Sequence, residues 1–366
     1  MRRIYSYLIL TSIVLISTFI LWRGVGFLTI YKHYDGPLYV VVAKTFYDPV
    51  KIEQLKLETT LSPKYFAAHL PLYPVLIRTA REIGEVGGIW GKLGYLKAMV
   101  GVNLLATIGL VLFFYYLLKK FKLTKNPLML ASVFLFLPRF LVIRSVGAPE
   151  SLFILLILLS LFFFEKEKFW LAGLFGGLAT MTKTPGILLF GAYSLVFIER
   201  YVKQYVISSK ARNLAKRSLR SLDSSVATLF RNDIKAWLGI LFIPLGLLVV
   251  FGIYGMQYKD FFAYFHSGDN IHLVFPYSVF NFQKPWVGTA WLEEILFYYF
   301  IYGLTIIYLK NSKYRSFFYF GLVFFTATLF VQHRDISRYS LPLWPLALIA
   351  FEKFFISKKF LIIFII

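Results

Sequence analysis

Apolar runs long enough to cross hydrocarbon alternate along this chain with short polar tracts, a pattern that predicts membrane-spanning helices. The first run, 4–21, follows Arg2 and Arg3 and shows no small-residue cleavage site before "WRGVGF", so it reads as a retained helix. Further runs lie at 93–118, 127–143, 151–164, 169–182, 186–199, 236–256, 291–309, 316–331 and 341–356, which gives an expectation of about ten spans. The runs 169–182 and 186–199 are short and are separated by "TKTPG". A break at Pro185-Gly186 either joins two short or tilted crossings or kinks one re-entrant segment, and loop parity favours two crossings.

The polar tracts predict orientation, because cytoplasmic loops hold the Lys and Arg excess. With "MRR" inside, the cytoplasmic set is "KKFKLTKN", "EKEK", the segment 199–235, "KNSKYR" and "SKK", and both termini are cytoplasmic. Segment 199–235 carries nine Lys or Arg against three acids and reads as an amphipathic helix or a solvated basic loop at the inner leaflet. The extracytoplasmic face then receives the segment 31–92, "RSVGAPES", "TKTPG", the loop 257–290 and "QHRDISRYS". Within 31–92, "PLYVVVAKTFY" and "YFAAHLPLYPVLIRTAREI" predict short interfacial helices, the second broken by Pro71 and Pro74.

Composition narrows the class. The 366 residues are 58% hydrophobic and only 16% charged, more apolar than one soluble core can bury. The net charge of +22 would suggest a nucleic-acid partner in a soluble protein; here it is spent in loop tracts that contact anionic headgroups, and no nucleic acid is expected. Cysteine is absent, which excludes disulfides and Cys-based metal sites. No internal repeat or soluble domain is evident, so residues 1–366 read as a single all-α polytopic membrane domain.

Most of the chemically versatile residues fall on the extracytoplasmic side. Asp35, in "YDGP", is well placed to cap the helix that starts near Pro37. Glu150 opens a span after "GAP", where an acid is favoured by the helix dipole. Lys183, Arg334 and Arg338, with Arg144 in reserve, are cations at span ends; they snorkel to headgroups or hold a lipid-linked phosphate. His266, Asp269 and His272 in "HSGDNIH" are spaced as metal ligands can be, although that spacing in a loop is unspecific.

Four stretches together resemble the GT-C superfamily of membrane glycosyltransferases, and within it the group around GPI mannosyltransferase 2 and its prokaryotic relatives. They are "YDGPLYVVVAKTFYD", "HLPLYPVLIR", "APESLFILLILLSLFFF" with "LAGLFGGLATMTKTPGILL", and "RYSLPLWPLALIA", in order from residue 34 to residue 350. Tyr34 stands where that pattern usually has Trp, His69 where it has Phe, and Lys183 where Arg is common.

The resemblance implies a GT-C-type fold and an inverting transfer of a sugar, usually mannose, from a polyprenyl or dolichyl phosphate to the hydroxyl of a glycolipid or glycan acceptor. It implies Asp35 as general base on the extracytoplasmic face, with Lys183, Arg338, Arg334, Glu150, His69 and Tyr39 as substrate contacts. No cofactor is expected, and metal use differs among such enzymes. Besides membrane lipids, the expected partners are the donor and the acceptor. Two other readings fit ten spans: a transporter or flippase of lipid-linked sugars, and a non-catalytic subunit of a glycosyltransferase complex.

Overall fold

The computed structural model describes residues 2–57, 61–86, 94–214, 234–271, 273–281, 283 and 291–365. Helices dominate them: α1 (Arg2–Val25), α2 (Phe27–Lys32), α3 (Gly36–Thr45), α4 (Pro49–Gln54), α5 (Leu72–Val86), α6 (Tyr95–Lys120), α7 (Pro127–Phe134), α8 (Pro138–Ile143) and α9 (Glu150–Glu165). They continue as α10 (Phe169–Thr182), α11 (Leu188–Leu214), α12 (Phe242–Tyr258), α13 (Trp291–Leu309), α14 (Arg315–Leu329), α15 (Ile336–Tyr339), α16 (Trp344–Ala350), α17 (Glu352–Phe355) and α18 (Lys358–Ile365). Among the described residues the extended backbone pairs only at one isolated bridge, between Leu273 and Val331.

Among the described residues five helices have the length and apolarity to cross a membrane: Ile4–Val25, Tyr95–Lys120, Thr184–Val206, Ile234–Tyr258 and Leu292–Leu309. That is the signature of a multi-pass membrane protein. Of the remaining expected runs, 151–164 and 169–182 form helices Glu150–Glu165 and Phe169–Thr182, and the others are shorter in the structure. Run 127–143 divides at Pro138 into α7 and α8, and run 341–356 divides near Phe351 into α16 and α17. Proline explains the first division, since its ring and missing N–H favour a new helix start over continuation. Helices Phe169–Thr182, Arg315–Leu329 and Leu341–Ala350 are apolar but too short to be counted with the five.

Segment 31–92 forms short helices as expected, yet α3 does not lie on a surface. Tyr39, Val40, Val41, Val42 and Ala43 are buried in succession, so the middle of α3 is packed within the bundle while Lys44 near its end stays exposed. Of segment 199–235, residues 199–214 continue α11, and residues 215–233 lie outside the described set.

Helix α9 organises the core, with α6 on one side and α10 on another. Helix α10 also packs closely on α12, and glycine makes that approach possible: a Cβ on Gly246 would stand 2.5 Å from the carbonyl oxygen of Gly177. Backbone-to-backbone contact of this kind replaces side-chain interdigitation where small residues face each other.

The two ends of α9 differ in character. At its C-terminus, Glu165 accepts from the Ser316 amide at 2.9 Å, Arg315 donates to Glu199 at 2.8 Å, and Tyr314 donates to the Phe121 carbonyl at 3.0 Å. These bonds gather "KKFKLTKN", "EKEK", the start of 199–235 and "KNSKYR" at one end. Glu150 sits at the other end of this 16-residue helix, about 22 Å away at about 1.5 Å per residue.

Candidate functional site

Four elements deliver charged side chains to that second end. Asp35 precedes α3 at the N-cap position, but its carboxylate makes no capping bond. It turns instead to Arg338 in α15, whose Nη1 donates to Asp35 Oδ2 at 3.0 Å. The same guanidinium donates through Nε to Glu150 Oε1 at 2.7 Å, and Lys183 Nζ donates to that oxygen at 2.8 Å. The result is a continuous chain, Asp35–Arg338–Glu150–Lys183, linking residues up to 303 positions apart in sequence. Close backbone approach lets it form: a Cβ on Gly36 would lie 3.0 Å from the Gly147 carbonyl, so a larger residue would push the start of α3 away from the start of α9.

Burial sets the electrostatics. Glu150 is 2% exposed and Arg338 4%, whereas the Asp35 side chain keeps 41% of its surface. Burial alone would raise the Glu150 carboxyl, but Arg338 and Lys183 overcome it and hold the group down at about 2. Burial likewise works against the charge on Arg338, and Glu150 and Asp35 more than restore it. Lys183 is lowered, first by burial and then by the nearby positive charge of Arg338, which Glu150 only partly offsets. Charges of both signs are matched one for one in this chain, which is what allows it to be buried.

The exposed edge of the chain opens into a cavity of about 510 Å³. Asp35, Lys183, Arg334, Arg338, His69 and Tyr39 all line it, so the structure brings together six of the seven expected site residues on one wall system. The seventh, Glu150, is buried just behind as the partner of Lys183 and Arg338. Arg334 is exposed at the rim and forms no ion pair among the described residues. Tyr39 packs edge-on to His69 at 4.9 Å and to Tyr73 at 5.2 Å. His69 is 3% exposed, accepts the Tyr47 hydroxyl on its carbonyl at 2.6 Å, and is pushed down to about 4, chiefly by burial.

Beside this polar cavity runs an apolar groove of about 250 Å³. Leu247 and Phe251 of α12, Phe324 and Ala327 of α14, and Ile187 and Leu188 line it. Thr184, Pro185, Tyr264, Ile271 and Tyr339 line both spaces, so they meet at the turn that carries Lys183.

Some expectations land elsewhere. Arg144 is 1% exposed and does not line the cavity; it donates to Thr18 at 2.7 Å, Ser17 at 2.9 Å and the Leu135 carbonyl at 3.1 Å, fastening α1 to the α7–α8 break. His266 pairs with Asp260 at 2.8 Å, and His272 lies outside the described residues. Among the described residues no three His, Asp or Glu side chains gather as ligands for a metal. His33 stacks edge-on to Tyr34 at 4.2 Å.

Three further residues stand at the site with no role expected from the sequence: Tyr34, which occupies the usual Trp position of the resembled pattern, His333 and Arg139. Tyr34 and His333 line the cavity, and Arg139 donates to the Tyr34 hydroxyl at 2.8 Å. The only local signals were the aromatic before Asp35 and the position of His333 inside the polar tract "QHRDISRYS". Compared with protein families, curated proteins and solved structures, the chain matches none of them.

Proposed function

We propose that the chain is an inverting glycosyltransferase that moves a sugar, mannose by its resemblance, from a polyprenyl or dolichyl phosphate to an acceptor hydroxyl. One observation carries this reading: the Asp35–Arg338–Glu150–Lys183 chain faces a polar cavity that adjoins an apolar groove at Lys183. An amphiphile with a charged head and a hydrocarbon tail fits such a pair of spaces, head toward the cations and tail along α12 and α14.

The roles follow from which groups are already committed. Arg338 is bound by two carboxylates and organises them, while Arg334, exposed at the rim, is the cation best placed to receive the donor phosphate, followed by Lys183. Asp35 Oδ2 is held by Arg338, and the rest of its carboxylate faces the cavity as the general base.

In the reaction the acceptor oxygen forms a bond to the anomeric carbon as its proton passes to Asp35. The bond from that carbon to the phosphate oxygen breaks, and its electron pair leaves with the phosphate. Protonating Asp35 removes one negative charge from a balanced chain, so Arg338 and Lys183 exert a stronger pull on the phosphate as its charge grows.

The cavity lies at the opposite end of α9 from the basic loops. By the positive-inside tendency this supports an extracytoplasmic active site. The test is to incubate the purified chain in nanodiscs with polyprenyl-phosphate mannose and a glycolipid acceptor. A glycosidic product is expected; translocation of the donor with no new glycosidic bond would establish the transporter reading in its place.

A further inference from the structure

We infer that Tyr34, fixed between Arg139 and Arg338, is a positioning residue that sets how Asp35 and Arg338 meet the reacting atoms. The inference rests on the transferase reading and adds a role to a residue outside its set of acids and cations.

Tyr34 adopts a left-handed backbone, φ +51°, which bulky side chains rarely do. Strain of that kind persists where the surroundings fix the residue, and here they do so on three sides. The Arg338 guanidinium lies over its ring at 4.8 Å from the centroid. Arg139 Nη1 donates to its hydroxyl at 2.8 Å, and the imidazole of His33 stands edge-on at 4.2 Å. Arg139 is itself held by Glu294 of α13, Nη2 to Oε2, at 3.4 Å.

The consequence for Arg338 is geometric. Glu150 and Asp35 fix the guanidinium within its own plane, through Nε and Nη1. Neither bond prevents the plane from rocking, and the Tyr34 ring, against which the guanidinium lies, supplies that restraint. The hydroxyl bond to Arg139 then stops the ring from drifting. Since Tyr34 also immediately precedes Asp35, the unusual backbone turns the carboxylate away from its own helix and toward Arg338. With its hydroxyl and one ring face occupied, Tyr34 is suited to hold other groups in place and poorly suited to bind substrate itself.

Transfer kinetics of the full chain in nanodiscs test this with Tyr34→Phe, Arg139→Gln and the double variant, each compared with wild type for kcat, donor KM and melting temperature. Both single variants lose the Tyr34–Arg139 bond, and Arg139→Gln also releases Glu294, so kcat is expected to fall roughly tenfold in each and no further in the double, with donor KM unchanged and with the melting temperature unchanged in Tyr34→Phe. Wild-type kcat in Tyr34→Phe, losses that add in the double variant, or a fall confined to melting temperature would overturn the inference. An arm independent of turnover is a structure of Tyr34→Leu in nanodiscs. Arg338 displaced from Asp35 is expected there, and an unchanged Arg338–Asp35 contact overturns the proposal. Wild-type protein without transfer would refute the transferase reading, and the structural arm would still decide the role of Tyr34.

Discussion

Glu150 is the residue on which the charged chain depends, because one of its oxygens accepts from both Lys183 and Arg338 in a space almost closed to solvent. Glu150→Gln keeps the shape and removes the charge, leaving two cations against Asp35 alone. Breaking a buried pair by deleting one partner costs about 3–5 kcal/mol, so a marked fall in melting temperature is expected from calorimetry in nanodiscs. A melting temperature equal to wild type would show that the cations do not depend on it.

Acid should unfold the protein in two stages. His69 falls from its ordinary 6.5 to about 4, so the fold favours the neutral ring; this preference is without effect above pH 6.5 and costs stability as pH drops from there toward 4. At 1.36 kcal/mol per pKa unit the loss is roughly 3 kcal/mol. Glu150 is depressed from 4.5 to about 2, so its contribution is complete above pH 4.5 and disappears as pH falls through 2. Melting curves should therefore weaken first below about pH 6.5 and again below about pH 4.5, from these same pKa values. Burial lowers His33 and His333 as well, so His69→Phe should shrink the first decline and leave the second, and a variant whose first decline is undiminished would refute the assignment.

At the scale of elements, the contact of α10 with α12 places Lys183, which follows the last residue of α10. A side chain at Gly177 would collide with the Phe242 carbonyl, so Gly177→Val must separate the two helices. Overpacking of this kind costs about 1–3 kcal/mol, and the displaced α10 should carry Lys183 away from Glu150. Melting temperature and transfer rate should fall together. Gly101→Ala in α6, where a Cβ meets nothing within 4 Å, serves as the control and should be neutral or stabilising.

Much at this scale was legible in the sequence. Apolar run length anticipated α1, α6, α10 and α13, and the proline and aromatic pattern of 31–92 anticipated its short helices. Averaged hydropathy could not show that run 127–143 breaks at Pro138, because the apolar residues on both sides of Pro138-Arg139 outweigh the single charge. Nor could it show that α3 is buried, since a uniformly apolar helix reads alike at an interface and in a core.

For the molecule as a whole, loop charge was the informative signal. It sorted the acids and cations onto one side, and six of the expected residues do line one cavity. It could not reveal pairing: that Arg338 joins Asp35 to Glu150 depends on contacts across 303 and 188 positions, which no local spacing encodes. Arg144 shows the opposite failure, since a buried arginine with hydroxyl and carbonyl partners looks, in sequence, like any other cation at a span end. The sequence marks Tyr34 only as an aromatic before Asp35, because its importance lies in what it touches and not in what it can ionise.

The central claim is that Asp35 takes a proton from an acceptor hydroxyl while a sugar leaves a polyprenyl phosphate. The most direct test compares initial rates of sugar transfer by wild type and Asp35→Asn at saturating donor, with donor binding measured in parallel. The account predicts turnover by wild type and a loss of about 10²–10⁴-fold in the variant, with donor binding retained. Equal rates in the two proteins would contradict it.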